Sequence, residues 1–472
     1  MTCLVHSTRM PSRCAGGVLV RALIVVAATT IPVPAAAKRP PLAVHTCPNG
    51  LQVAVAENHA TPLVSVELAV HDGAMVESPA FNGLSHLYEH QFFRGNEAIP
   101  DALAFEARMR ALGMNRGATT EVESVSYFFT TTSDHFPDSL TFARDAALRP
   151  RFDPIELQHQ KAEVTAEIDR DGSDPLGHIQ RPVNARVWWK YPTYKAAIDQ
   201  RASVVGATLE KMRSIWAHYY VPNNALLVVV GDVHADEVFR QADVLFAKWP
   251  RGADPFVAEP LVTHPPIRRS EVVVVRQPVE NVSFRVFWQG PSAVGDAATD
   301  THAGAVLAHL LLSRGSTFQK SLVDSKACIR SELAFRSQRN AGELELTFEA
   351  TPDGARECVR TVFAELLKLR APGYFSDEQI RGAILQAEVE GAHDRETTIR
   401  YAHAITVGWA TAGLDDYAAY DERLERVTRA AVTRFIDRWL TGRPFVFGAL
   451  TPLASGLQQA QLEADAGIRG TR

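Results

Sequence analysis

The sequence predicts a protein of two similar domains, each built from both strands and helices. Its 472 residues are too many for a single hydrophobic core. A proline-rich stretch, WPRGADPFVAEPLVTHPPIRRS, divides the chain, and proline at that density continues neither a helix nor a central strand. Strand-rich sequence followed by a helical pattern opens both halves, which is typical of an internal repeat.

The element signals are similar in the two halves. LQVAVAENHATPLVSVELAVHDG opens the first half and EVVVVRQPVENVSFRVFWQG the second, and both are rich in β-branched residues. FNGLSHLYEHQFF and THAGAVLAHLLLS follow with helical spacing. Two more strands are expected at 124–132 and 224–233. Between them the periodicity predicts a helix with Asp153 as its N-cap and Pro154 at its first position.

Composition is that of an ordinary globular protein, with 46% hydrophobic and 22% charged residues. The formal net charge is −5 and no basic cluster follows the N-terminal segment, which argues against nucleic acid as a partner. These signals predict five segments in chain order. They are an N-terminal segment at 1–37, a domain at 38–250 that contains the stretch GLSHLYEHQFFRGN, a linker at 251–270, a homologous C-terminal domain at 271–454 without such a stretch and a loose tail at 455–472.

The first 37 residues contain three arginines and no acidic residue. The apolar run Ala22–Ile31 and the small residues Ala35 and Ala37 follow, which is the order of a secretory signal peptide cleaved after Ala37. The run is shorter than the roughly 20 residues of a membrane-spanning helix, so we expect no membrane anchor after cleavage. We therefore expect export to the periplasm. A mitochondrial transit peptide, which is also Arg-rich and acid-poor, is the alternative.

Three cysteines follow this segment: Cys47, Cys328 and Cys358. An odd and sparse set is no disulfide framework, and no Cys-x-x-Cys pair occurs. A bridge between Cys328 and Cys358 is compatible with an oxidising compartment, but the sequence leaves it open.

The stretch GLSHLYEHQFFRGN places two histidines four residues apart, with a glutamate beside the second. Residues i and i+4 lie on one face of a helix, so His86 and His90 can direct both imidazoles at one point. Zinc is bound in this way. Glu89 would then flank the metal as general base for a zinc-bound water. Histidine pairs also occur packed or exposed without a metal, and the motif alone leaves both interpretations open.

A catalytic zinc needs a third protein ligand from another element. The helix predicted after Asp153 offers His159, Glu163 and Glu167 at i, i+4 and i+8 on one face. A solvated surface is the alternative explanation for that stripe.

The match extends beyond these residues. His-x-x-Glu-His is the inverted zinc motif, and GLSHLYEHQFFRGN resembles Gly-x-x-His-Phe-x-Glu-His-x-x-Phe-x-Gly of the insulinase/pitrilysin family of zinc metallopeptidases. EVTAEIDRD resembles the family's third-ligand helix, and YYVPNNALLVVVGDV its Tyr-x-Pro-x-Asn strand. The chain, at 51.8 kDa, is most similar to the branch of two-domain subunits that includes mitochondrial processing peptidase and its bacterial relatives.

The resemblance implies an α+β fold. Two homologous α/β/α domains, each a mostly antiparallel sheet flanked by helices, would enclose a peptide chamber. One Zn²⁺ per chain would be held by His86, His90 and Glu167, which lies 77 residues past His90. Glu89 would be the catalytic residue. Glu163 would be a carboxylate behind the ligands or a surface residue.

The family binds peptide substrates as an added β-strand, through main-chain hydrogen bonds. The resemblance places the accepting edge at Gly117, Ala118, Thr119 and Thr120. Family members often have Asn-Ala-x-Thr at this edge, and Gly117 stands here in place of the asparagine.

A second departure lies in the C-terminal half. Family members that act alone carry Arg-Glu-x-x-Gly-x-x-Tyr, whose arginine and tyrosine reach the substrate carbonyl. The corresponding segment, LVDSKACIRSEL, has Val323 and Arg330 at those positions, and no tyrosine occurs between Tyr220 and Tyr374. The resemblance then implies a heterodimer in which a homologous subunit supplies the Arg/Tyr pair, with a homodimer as the alternative.

The sequence therefore predicts a zinc endopeptidase that hydrolyses short or unfolded peptides. A non-catalytic scaffold or processing subunit of the same family is the first alternative, and a zinc storage or transport protein is the second.

Overall fold

The computed structural model describes residues 41–195 and 200–468, so the predicted signal peptide lies outside the described residues. Eleven strands occur in the described part. They are β1 Ala43–Thr46, β2 Gln52–Glu57, β3 Leu63–Val70, β4 Asn115–Thr120, β5 Val125–Thr132, β6 Ala225–Gly231, β7 Glu271–Gln277, β8 Val282–Gln289, β9 Arg330–Arg336, β10 Glu343–Ala350 and β11 Val446–Pro452.

Seventeen α-helices accompany these strands in the described ranges. They are α1 Leu84–Phe92, α2 Ala102–Ala111, α3 Phe136–Leu148, α4 Pro154–Asp171, α5 Pro175–Val187, α6 Gln200–Val205, α7 Leu209–Tyr219, α8 Ala235–Leu245, α9 Pro255–Ala258, α10 Asp300–Leu312, α11 Thr317–Gln319, α12 Ala355–Lys368, α13 Asp377–Asp394, α14 Thr398–Thr411, α15 Leu414–Glu425, α16 Arg429–Phe435 and α17 Gln459–Asp465. Two π-helical turns, Lys320–Asp324 and Ile436–Leu440, extend α11 and α16.

The strands form two sheets of matching topology. The first has the order β1-β2-β6-β3-β5-β4 and the second β7-β11-β8-β10-β9. One neighbouring pair in each sheet is parallel, β2 with β6 and β11 with β7, and all other pairs are antiparallel. Without β1, the first sheet has the order and strand directions of the second. This agreement supports the internal repeat inferred from the sequence.

Helices of its own half cover one face of each sheet. In the first sheet, Tyr127 and Val229 pack with Leu87 and Phe92 of α1. Alternate side chains of a strand point to opposite faces, and the whole of β6 is nevertheless buried. Its second face must therefore be covered as well.

The opposite half supplies that second cover. Tyr401, Ile405 and Trp409 of α14 pack on the first sheet, against residues that include Leu226 and Val228. Each sheet thus lies between helices, and the predicted fold class of two mostly antiparallel α/β/α domains is confirmed. The enclosed peptide chamber stays a prediction.

The exchange of helices is reciprocal. Ile179 and Val183 of α5 pack on Val446 and Leu450 of the second sheet. The predicted boundaries at 250 and 270 therefore separate the two sheets but not the helices that cover them. The segment between those boundaries contains only the short helix α9 among its regular elements.

The structure answers two questions that concern the C-terminal tail and the cysteines. The prediction of a loose tail from residue 455 is wrong for its described part. Helix α17 packs there, with Leu462 fully buried in the second core. Cys328 and Cys358 are joined in a disulfide, and Cys47 is a buried free thiol. Within the described ranges, no helix combines the length and apolarity that a bilayer-spanning segment requires.

Candidate metal centre

Helix α1 carries the histidine motif and is fixed at its start. Gly83 precedes the helix with φ +81°, a conformation that other residues rarely adopt. The buried carboxylate of Glu77 accepts hydrogen bonds from the backbone N–H groups of Gly83 and Ser85, at 2.7 and 2.9 Å. The Ser85 hydroxyl donates to buried Asp72 at 2.9 Å. Glu77 thus satisfies two backbone N–H groups at the N-terminus of α1, and Asp72 holds the Ser85 side chain.

The structure brings the three predicted ligands together. Nε2 of His86 lies 3.2 Å from Nε2 of His90. Oε2 of Glu167, on α4, lies 3.5 Å from Nε2 of His90 and 3.7 Å from Nε2 of His86. Two imidazole nitrogens at this separation need a proton or a cation between their lone pairs.

The spacing of these donor atoms fits zinc. A tetrahedral site with bonds of about 2.0–2.1 Å separates neighbouring donors by about 3.3–3.4 Å. The three observed separations bracket that value. His90 is largely buried, whereas about a third of His86 and of Glu167 is exposed. The triangle of donors is therefore open to solvent on one side, as a catalytic site requires.

The environment favours the protonation state that binds a metal. Burial, and then the neighbouring His90, lower the pKa of His86 and keep its imidazole neutral. The side-chain amide of Gln160, on α4, lies 3.2 Å from Nδ1 of His90. Arg94 and Glu163 favour the orientation in which the amide oxygen accepts from Arg94 and the amide nitrogen faces Nδ1. Binding a metal through Nε2 needs the opposite orientation, in which Nδ1–H donates to the amide oxygen. Sequence reasoning missed Gln160, which no short motif marks.

Glu89 lies beside the three donors. Thr120, the last residue of β4, donates its hydroxyl to Oε2 of Glu89 at 2.6 Å. Burial raises the pKa of the Glu89 carboxyl, which the Thr120 hydrogen bond partly opposes. A carboxylate with a raised pKa, held by one hydrogen bond, is suited to accept a proton near neutral pH.

The other two candidate ligands on α4, Glu163 and His159, are distinguished by their partners. Glu163 forms an ion pair with Arg94 at 2.9 Å, and it lies near His90 and Glu167. His159 is exposed and pairs with Glu156 at 3.6 Å. Glu167 is the carboxylate whose oxygen faces both imidazoles, so the geometry favours it as third ligand over Glu163.

Strand β4 forms the edge of the first sheet beside this cluster. It pairs with β5 alone among the described strands, which leaves its outer edge free for a further strand. Ala118 packs toward the first core, and Thr119 shares a hydrogen bond of 3.0 Å with Ser126. The predicted substrate residues, 117–120, therefore lie on an open edge that ends at Glu89.

The structure explains the glycine at this edge. A Cβ on Gly117 would lie 2.1 Å from Cζ of Phe128, its cross-strand neighbour. The Phe128 ring occupies the space that a side chain at 117 would fill, so any other residue there would require the ring to move.

The segment that lacks the Arg/Tyr pair forms a turn and an edge strand. Val323 lies in the π-helical turn after α11, partly buried against the second core. Arg330 begins β9 and pairs with Glu349 at 2.8 Å. Neither residue reproduces an arginine beside a tyrosine.

Two family models match this chain. Insulinase (Peptidase family M16) matches residues 52–196, which include all four residues of the cluster, and Peptidase M16 inactive domain matches residues 206–386. The chain belongs to peptidase family M16. The family's peptidase model thus covers most of the first half, and its inactive-domain model runs from the end of the first half into the second.

Relatives in this family are zinc proteases and processing subunits. The probable mitochondrial-processing peptidase subunit beta of Arabidopsis thaliana is 23% identical over 255 residues, which is 54% of this chain and 48% of that protein. Zinc protease PqqE of Helicobacter pylori is 23% identical over 284 residues, or 60% of this chain and 63% of that protein. The matched region spans about half of the first relative and under two thirds of the second.

Solved structures of the family share the fold. The crystal structure of a protease from Helicobacter pylori superposes with a TM-score of 0.78 at 19% identity, covering 88% of this chain and 100% of that chain. A putative M16-like peptidase from Alicyclobacillus acidocaldarius gives 0.75 at 18% identity, over 87% of this chain and 98% of that chain. Likeness at this identity supports the two-domain architecture.

Proposed function

We propose that this chain is a zinc-dependent endopeptidase that hydrolyses short or unfolded peptides. One observation carries the proposal. The nitrogens of His86 and His90 and one oxygen of Glu167 converge at zinc-ligand spacing, with Glu89 beside them at an open sheet edge. One Zn²⁺ per chain would be held there.

Each residue then has a definite task. Bound zinc would lower the pKa of a coordinated water to about 7 and polarise the scissile carbonyl. Glu89 would take the proton from the attacking water and deliver it to the leaving amine. Thr120 holds the Glu89 carboxylate in position, and the Gln160 amide orients His90.

The open edge of β4 supports peptides as the substrate class. An extended chain can add to Asn115–Thr120 through backbone hydrogen bonds, which recognise main chain more than side-chain sequence. Only unfolded or short chains present a free extended backbone to such an edge. We propose that 117–120 bind the substrate beside Glu89.

A homologous partner subunit is part of the proposal. Related proteins are named as alpha and beta subunits of a processing peptidase, and this chain lacks the Arg/Tyr pair at Val323 and Arg330. We propose that a second subunit supplies it, with a homodimer as the alternative. The predicted signal peptide adds export to the proposal, with the periplasm as its compartment.

A non-catalytic processing subunit is the second candidate. The match of residues 206–386 to an inactive-domain family model and the missing Arg/Tyr pair favour it. An intact ligand set beside Glu89 favours the peptidase, because a scaffold has no use for a proton acceptor at a metal.

The test is hydrolysis of a quenched, unstructured peptide, with zinc determined on the same samples. Wild type, Glu89→Gln and Glu163→Gln are compared, each alone and with a candidate partner. We expect Glu89→Gln to lose about 10²–10⁴-fold in activity while it keeps its zinc. Glu163→Gln, a like change four residues from Glu167, should keep most activity. Zinc without turnover in every combination would favour the non-catalytic subunit.

A further inference from the structure

We propose a second metal site, formed by Glu57, His59 and His234, that binds a divalent transition-metal ion such as Zn²⁺. These residues lie at the end of β2, in the turn after it and at the N-cap of α8. Their ligand atoms all lie within 4.8 Å of one another. The site would clamp the β2–β3 turn to the start of α8, and it does not depend on the proposed peptidase activity.

Two imidazoles face one carboxylate oxygen in this cluster. Nε2 of His59 lies 3.3 Å from Oε2 of Glu57, and Nδ1 of His234 lies 3.8 Å from the same oxygen. The first is a long hydrogen bond, and the second exceeds the hydrogen-bond range. They match the spacing between neighbouring ligands of one ion. Glu167 faces His90 and His86 in the same way, at 3.5 and 3.7 Å.

A second carboxylate orients the better-placed imidazole. Nδ1 of His59 is 2.7 Å from Oδ1 of Asp232. A proton on Nδ1 donated to Asp232 leaves the lone pair on Nε2, which is the tautomer that binds a metal. Histidine ligands of metals commonly donate their other N–H to a carboxylate in this manner.

Glu57 is held as well. Its Oε1 accepts the backbone N–H of Ala235, at the start of α8, with a distance of 2.8 Å. That hydrogen bond is the leading cause that lowers the pKa of Glu57, so the carboxylate is charged at neutral pH. Oε2 is thereby turned toward the two imidazoles.

Strand register separates this cluster from the first one. Strand β3 begins at Leu63, which pairs with Thr132 and accepts the N–H of Asp232, a residue that orients His59. It ends at Val70, which pairs with Val125 and Ala225. Thr120 pairs with Val125 at that far end. The eight residues of β3 span about 27 Å at about 3.4 Å per residue. The two sites therefore lie at opposite ends of the first sheet.

A bridging imidazolium is the metal-free alternative. Asp232 and then Glu57 raise the pKa of His59, so a proton can join the two carboxylates in acid. That arrangement needs His59 alone. It gives no role to His234, whose Nδ1 faces the same Glu57 oxygen although its side chain is 81% exposed.

The donor set selects the class of ion. Two imidazoles and one carboxylate suit Zn²⁺, Ni²⁺ and Cu²⁺, whereas Ca²⁺ and Mg²⁺ prefer oxygen-only ligands. About half of His59 and four tenths of Glu57 are exposed, so an ion reaches the donors directly from solvent.

The experiment is equilibrium dialysis against Zn²⁺ with elemental analysis of the protein. It uses the full chain with His86→Ala and His90→Ala, which removes the first site and makes the result independent of peptidase activity. We expect one zinc per chain in this background. None should bind after a further His59→Ala or His234→Asn, and the exposed position of His234 makes misfolding no explanation. Asp232→Asn should weaken binding by about 10–100-fold.

His393→Ala is the matched control, because His393 pairs with Glu396 at 2.7 Å on the surface with no second histidine in the contact. It should keep the zinc. In the otherwise wild-type chain, His234→Asn should lower the content from two zinc ions to one. Zinc content that His59→Ala and His234→Asn leave unchanged would overturn the proposal, as would equal binding of Ca²⁺.

Discussion

The two halves share one sheet topology but differ in the side chains of the helix pair at corresponding places. In the first half, α1 and α4 direct two imidazoles and a carboxylate at one point. In the second half, α10 and α13 pack together at the matching places, and His309 Nε2 lies 3.5 Å from Glu390 Oε2 between them. Glu390 is the fourteenth residue of α13, as Glu167 is of α4. The second half thus keeps one histidine and one carboxylate where the first half has a complete donor set.

The difference shows where the chemistry of this fold lies. Helix α10 is nearly all apolar and buries Leu307, Leu310 and Leu311 in the second core. Its first residue, Asp300, is buried and paired with Arg438 at 3.1 Å. The sheet and helix order are common to both halves, so a few side chains on one open helix face distinguish the candidate metal centre from a core helix.

The largest expected effect comes from comparing an alanine substitution at one histidine in each half. His90→Ala removes one of the three proposed zinc ligands, and we expect both bound zinc at this site and peptide hydrolysis to fall to background. His309→Ala removes only the contact with Glu390 and should leave both nearly unchanged. Elemental analysis and the quenched-peptide assay measure the two effects. Equal losses in both variants would mean that the second pair also takes part in the site.

Local chemistry in this chain was predictable from the sequence, and long-range packing was not. The histidine helix, the third-ligand helix and its N-cap follow from local spacing, and Asp153 does accept the N–H groups of Ile155 and Glu156. The exchange of α5 and α14 does not follow. A helical pattern tells which face is apolar, but it does not tell which sheet covers that face.

Gly117, at the predicted substrate edge, also shows that long-range contacts cannot be read from local sequence. Gly117 departs from the asparagine common in the family, and its reason is the ring of Phe128 across the ladder. That pairing depends on strand register, which the sequence of β4 does not specify. Likewise, Gln160 orients His90 from another helix and carries no motif of its own.

The exchanged helices offer a matched test of whether the halves stabilise each other equally. Ile405 of α14 and Ile179 of α5 are both fully buried on the opposite half's sheet. Truncating either to alanine removes apolar contacts and leaves a cavity, which costs about 2–5 kcal/mol of unfolding free energy. Chemical denaturation of both variants measures the two costs.

Exposed leucines supply the control for that comparison. Leu367→Ala, at a side chain that is 66% exposed, should change stability by less than about 0.5 kcal/mol. A large loss of unfolding free energy for one isoleucine variant and none for the other would show that the two halves do not stabilise each other equally. It would identify one half as folding without its borrowed helix.

A smaller effect is expected from giving the second half the residues that it lacks. Val323→Arg in the π-helical turn, together with Arg330→Tyr at the first residue of β9, restores the family's spacing. Donors to the developing oxyanion contribute on the order of a hundredfold in rate, and we expect a gain of that order in hydrolysis by the chain alone. The quenched-peptide assay without partner measures it.

The two single variants are the controls, because the proposed pair acts together. Arg330→Tyr also removes the ion pair with Glu349, an exposed contact that contributes little to stability. A double variant that folds, binds zinc and shows no gain would argue that this segment does not face the reacting carbonyl.

The smallest effect concerns the contact that joins α14 to the first sheet. His403 lies 3.2 Å from Glu67, whose side chain is fully buried in β3. The hydrogen bond to Glu67 raises the pKa of His403 above its ordinary value near 6.5. The stabilisation is therefore complete below about pH 6.5 and is lost as pH rises through the raised pKa.

His403→Gln keeps a hydrogen-bonding side chain without the charge. We expect the unfolding free energy of wild type to exceed that of the variant by up to about 1 kcal/mol in mild acid, because solvent screens this partly exposed imidazole. The difference should shrink toward pH 9. The corresponding contact of the second half joins Arg285 to Gln180, whose amide has no ionisable group. Gln180→Ala should therefore shift stability by the same amount at every pH, and a constant difference for His403→Gln would mean that its imidazole stays neutral throughout.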